Sequence, residues 1–112
     1  MMVRSVTEDS ISVGGRTYSE TIALTTESVL EDIAVPQVAD LDVSHFSELL
    51  DGEPELIVVG TGTRNRFPPR DLIFAFARRG VGLEVMDTAA AARTFNVLAS
   101  EGRRLAALLY ID

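Results

Sequence analysis

Hydrophobic spacing changes character midway along the chain. Before residue 56, short apolar runs alternate with polar ones: Ile11 and Val13 are interleaved with serines, and Gly14-Gly15 follows as the pair of positive-φ residues a tight hairpin turn needs. The extended pattern then continues from Arg16 to Leu24, with Thr21-Ile22-Ala23-Leu24-Thr25 reading as a strand. Ser28 to Val35 fits either a strand or a short helix, ended by Pro36. Ser44 is positioned to cap a helix through Phe46, Leu49 and Leu50 that Gly52 and Pro54 stop.

After residue 56 the runs lengthen. Leu56-Ile57-Val58-Val59, closed by Gly60, is unbroken by polar residues, as expected of a strand covered on both faces. A helix is predicted from about Pro69 to Arg79: proline suits the first turn, Asp71 the positive end of the dipole, Arg78 and Arg79 the negative end, and Gly80 the cap. Leu72 to Ala77 are apolar nearly all round, which predicts burial on more than one side. Val81–Met86 is the next strand. Asp87 or Thr88 opens a helix running to Ser100 before Gly102, and Leu105–Ile111 is the last strand. Strand–helix–strand–helix–strand implies crossover connections and at least a partly parallel sheet, in one domain over residues 1–112.

Composition narrows the chemistry. There is no cysteine, which removes disulfides, thiolate metal sites and thiol nucleophiles. Every cation is arginine, so lysine chemistry is absent too. The net charge of −7 is uneven: residues 1–56 carry twelve acids and two arginines, net −10, and residues 57–112 carry five acids and eight arginines, net +3. An acidic total opposes a nucleic-acid partner. No apolar run approaches the roughly 20 residues of a membrane span, and Met1–Ser10 lacks the apolar stretch of a signal peptide, so a cytoplasmic location is expected. His45 is the single histidine, which leaves no metal site or histidine-based catalytic pair to assign, and no cofactor is implied.

The segment Gly60-Thr61-Gly62, followed by Val85-Met86-Asp87-Thr88 and the block Ala91 to Arg104 with Arg93-Thr94-Phe95-Asn96, resembles the family of mitochondrial respiratory complex I assembly factor three and its bacterial and archaeal relatives. The resemblance is close in the second half and general in the first. It implies a three-layer α/β fold with a mixed central sheet and a small additional N-terminal β layer. It also implies a role in assembling a protein complex, and brings no enzymatic activity with it. Phe95 stands where that family commonly has tyrosine, which keeps the packing and drops any hydroxyl role.

Two readings of function follow. The first is a non-enzymatic assembly or protein-interaction factor with a protein partner. The second is a small-molecule or anion-binding enzyme using a crevice between Gly60–Gly62 and Asp87–Thr88, because both turns follow strands, and ligand crevices in open α/β sheets lie at carboxyl ends. A dinucleotide site is disfavoured: Asn65 occupies the third glycine position, and the helix starts several residues late. Candidate binding residues are Gly60, Thr61, Gly62, Asp87, Thr88, Arg93 and Asn96, the last two on the helix face opposite Ala91, Phe95, Leu98 and Ala99. Arg64, Arg66 and Arg70, around Phe67-Pro68-Pro69, either bind an anion or balance the acidic half. The apolar excess of the Leu72–Ala77 helix makes a homodimer possible.

Overall fold

The computed structural model describes residues 2–112. Strands β1 (Val3–Val6), β2 (Ile11–Val13) and β3 (Arg16–Tyr18) form a small antiparallel sheet. The β2–β3 turn is Gly14-Gly15, with φ of 57° and 87°, where a side chain would be strained. The remaining strands are β4 (Ile22–Thr25), β5 (Val29–Leu30), β6 (Leu56–Gly60), β7 (Gly82–Met86) and β8 (Leu105–Leu109), which make a five-stranded sheet in the order β5-β4-β8-β6-β7. β6 pairs parallel with β7 and β8, while β4 pairs antiparallel with β8 and β5. The sheet is therefore mixed, with its parallel part in the second half of the chain.

Alternation across the central strands sends side chains into two separate cores. Leu56, Val58, Leu105, Ala107 and Leu109 pack with Val3, Ile11 and Val13 of the small sheet and with Ala91 and Phe95 of helix α3 (Thr88–Ser100). Ile57, Val59, Ala106 and Leu108 face the other way, toward helices α1 (Ser47–Asp51) and α2 (Arg70–Arg79) and two 3₁₀ turns, Val38–Asp40 and Val43–Phe46. Phe46 and Phe76 meet edge-to-face in that second core, with ring centroids 5.2 Å apart. The result is three layers: α3 beside the small sheet, the mixed sheet, and the α1–α2 side.

Several expectations are corrected. The extended run from Arg16 to Leu24 is broken at Ser19–Thr21, and its two halves belong to different sheets. Ser28–Val35 contributes only the two-residue β5. The cap before α1 is Asp42, not Ser44: its carboxylate accepts from Ser44 N, while His45 Nδ1 accepts from Asp42 N at 2.9 Å, closing a capping box on a 3₁₀ turn. The sole histidine is thereby engaged in local structure. Helix α2 is buried on one side only: Leu72 and Phe76 are covered, whereas Ile73 and Phe74 face outward. Asn96, placed by helical spacing opposite the core stripe as a candidate binding residue, is half-buried and clamps β1 from both directions. Val3 N donates to its Oδ1 at 2.9 Å and its Nδ2 donates to Val3 O at 2.8 Å, so the side chain replaces one residue of a neighbouring strand.

Candidate functional site

The carboxyl ends of β6, β7 and β8 coincide, since Gly60 is in register with both Met86 and Leu109. The segments leaving these strands are tied together directly. Thr61 N donates to Met86 O at 2.9 Å, and Tyr110 N to Gly60 O at 2.8 Å. Thr88, 3% exposed at the start of α3, is the centre of the knot. Its amide donates to Gly62 O at 2.9 Å, and its hydroxyl accepts from Gly62 N at 2.8 Å and donates to Tyr110 O at 2.7 Å. Asp87 caps the helix by accepting from Ala90 N at 2.8 Å.

Glycine is required here for contact as well as conformation. A Cβ on Gly60 would lie 2.8 Å from Thr88 Cα, and Gly62 has φ +93° with Asp112 and Arg66 where a side chain would go. Asp112 fastens the loop that follows: its carboxylate accepts from Thr63 N at 2.9 Å, from the Thr63 hydroxyl, and from Arg66 Nη1 at 2.9 Å. The Thr63 hydroxyl is the main reason the Asp112 carboxyl sits below its ordinary range, with the Thr63 amide next and Arg66 adding to both. Buried Thr61 completes the loop, its hydroxyl donating to Arg64 O at 2.7 Å and accepting from Arg66 N at 3.2 Å.

Gly60, Thr61, Gly62, Asp87 and Thr88 therefore come together as one cluster. The amides of Gly62 and Thr88, the donors an anion would have used, are taken up inside it. Beside the cluster is a hollow of about 330 Å³ whose wall includes Thr7 and Glu8 of the β1–β2 turn, Thr63, Asp87, Ala89 and Tyr110. Two carboxylates and no arginine line it, an electrostatic setting that suits hydrogen-bond donors or cations better than anions. Arg93 and Asn96 lie elsewhere, on a shallow groove of about 190 Å³ between β1 and α3.

Larger than either is a cavity of about 530 Å³ on the opposite side of the sheet, floored by Ala23, Leu30 and Leu108 and rimmed by Asp32, His45 and Glu48. It lies between the irregular segment after β5 and helix α1, and no local motif marks it. Among the described residues, no group of three or more His, Asp or Glu side chains is disposed to hold a metal ion. No helix among them is long and apolar enough to cross a membrane.

A mixed five-stranded sheet with parallel β6, β7 and β8, a small antiparallel sheet on one face and helices on both defines a three-layer α/β domain whose parallel carboxyl ends are closed by a glycine–threonine knot. The chain belongs to the family described as protein of unknown function (DUF498/DUF598), whose model matches residues 3–110. A 13 kDa major membrane protein of Francisella tularensis is 28% identical over 93 residues, 82% of this chain and 76% of that protein. The human NADH dehydrogenase [ubiquinone] 1 alpha subcomplex assembly factor 3 is 32% identical over 110 residues, covering 97% of this chain. The chain spans 60% of that relative's length. A solution structure of a Xanthomonas campestris protein superposes with a TM-score of 0.88 at 38% identity, covering 97% of this chain and 83% of that one.

Proposed function

We propose that this chain is a non-catalytic assembly or protein-interaction factor; the zebrafish and human relatives named assembly factors support the assembly part of the reading. The observation that carries the reading is where the polar groups of the carboxyl-end cluster go. In α/β enzymes this position presents free backbone donors to a ligand; here Thr88, Gly62 and Tyr110 satisfy one another.

The hollow beside Asp87 supports a second reading, a small-molecule-binding enzyme, and the two separate in one assay. A thermal-shift panel of nucleotides, phosphate and acyl compounds leaves the unfolding temperature of an assembly factor unchanged, and affinity capture from the source organism enriches one stoichiometric protein. A ligand that raises the unfolding temperature by several degrees, with the effect lost in Ala89→Leu, which fills the hollow, would overturn the assembly reading in favour of the second.

A further inference from the structure

Helix α2 and the loop before it form a face that the fold leaves uncovered. At 100° per residue, Arg70, Ile73, Phe74 and Ala77 fall on one side of α2, and Leu72 and Phe76 on the other, buried side. Ile73 is 47% exposed and Phe74 52%. Side chains on a helix lean toward its N-terminus, so Arg70 and Phe74 extend toward the end where Phe67 stands, 82% exposed on the preceding loop. Phe67 is followed by Pro68 and Pro69, whose rings fix the backbone there, so the aromatic ring is presented at little cost in order.

The charge on this stretch is opposite to that of the molecule. Residues 64–80 carry five arginines against one acid, Asp71, in a chain of net −7. Arg66 is held by Asp112. Arg64, Arg70, Arg78 and Arg79 are exposed and have no ion-pair partner among the described residues. None of the hollows described above is lined by this stretch, so the face is a ridge of large apolar side chains bordered by free cations.

We infer that this face is a docking surface for an anionic lipid bilayer, with Phe67 and Phe74 entering the headgroup layer and Arg64, Arg70 and Arg78 meeting lipid phosphates. Charge complementarity selects an anionic surface, and the chain's overall −7 requires that only this side approach it. A ridge without a groove suits a surface that deforms around it. Arginine adds to the fit, because its aliphatic stem lies along the apolar boundary while the guanidinium reaches the phosphate. Attachment of this kind is shallow, reversible and sensitive to salt. It does not depend on the assembly reading.

The test uses the full chain and vesicles of phosphatidylcholine with and without phosphatidylglycerol. The chain has no tryptophan, so Phe67→Trp supplies a single reporter at the proposed point of entry. Its emission shifts to the blue on phosphatidylglycerol vesicles and not on phosphatidylcholine alone. In co-sedimentation, Phe67→Ser with Phe74→Ser lowers the bound fraction about tenfold or more, and Arg70→Glu with Arg78→Glu removes the preference for the anionic lipid. Both variants stay folded, with unfolding temperatures within a few degrees of the wild type, because the altered side chains lie at the surface. A chain that stays in the supernatant with every composition overturns the inference and leaves the face to a protein partner. A dimer in sedimentation equilibrium that Phe74→Ser splits also overturns it, in favour of a second copy.

Discussion

Thr88 concentrates three hydrogen bonds in one buried residue, and its hydroxyl both accepts from Gly62 N and donates to Tyr110 O. Thr88→Val preserves the shape and removes only the hydroxyl, leaving an amide and a carbonyl unpaired in the interior. It is expected to cost about 1–3 kcal/mol in urea denaturation; a loss within about 0.5 kcal/mol would mean that water replaces the hydroxyl. Tyr110 makes a second prediction. Its hydroxyl donates to Pro36 O at 2.7 Å, and burial pushes its pKa up to about 12. Since the folded value lies above the unfolded one, near about 10, the stability it contributes is complete below that pH and is lost as pH rises toward 12. In a Tyr18→Phe background, absorbance at the phenolate band should report Tyr110 ionising late and together with unfolding. Ionisation at the ordinary pH with the fold intact would contradict the buried placement. At this scale the sequence was only partly legible. A helix start at Asp87 or Thr88 and a turn at Gly60–Gly62 follow from residue type and spacing, but the hydroxyl of Thr88 acquires its role from Tyr110, a residue 22 positions away.

Among the elements, those written in continuous apolar runs were the easiest to read. β6 and β8 are buried at every position, and their all-apolar sequences leave little alternative. Helix α2 was harder, because Leu72 to Ala77 are apolar nearly all round while their surroundings cover one side; a composition of Ile, Phe and Ala cannot report which faces will have neighbours. Asn96 was misread for a related reason. Helical spacing placed it opposite the core, but β1 arrives on that flank and takes both halves of its amide. The β1–α3 attachment therefore depends heavily on one side chain. Asn96→Ala should raise the hydrogen-exchange rate of the Val3 amide and of its β2 partners while leaving β6 and β8 protected. Uniform acceleration across all strands would show instead that the small sheet and the central sheet open as one unit.

For the molecule as a whole, three exposed carboxylates held below their ordinary range each add a small, solvent-screened share to the acid response. Asp112 is stabilised first by the Thr63 hydroxyl, Asp42 by the Ser44 hydroxyl, and Glu55 by the Arg104 amide. A lowered folded value means that each contributes stability above the unfolded value, near about 4, and that this share disappears as pH falls through the folded one. Unfolding temperature should accordingly drop below that pH, and Asp112→Asn, already without its share at neutral pH, should show a shallower drop; an unchanged profile would assign the acid limb to the other two. The strand order has a consequence for how the protein is made. β8, the final strand in chain order, sits in the middle of the sheet between β4 and β6. Until residues 105–109 leave the ribosome, β4 can pair only with β5 and β6 only with β7, so the nascent chain holds two separate strand pairs, each with one bare edge, together with the halves of both cores. Joining of the two pairs into one sheet must wait for β8, so a chain stalled or cut before residue 105 is a natural target for chaperones and proteases.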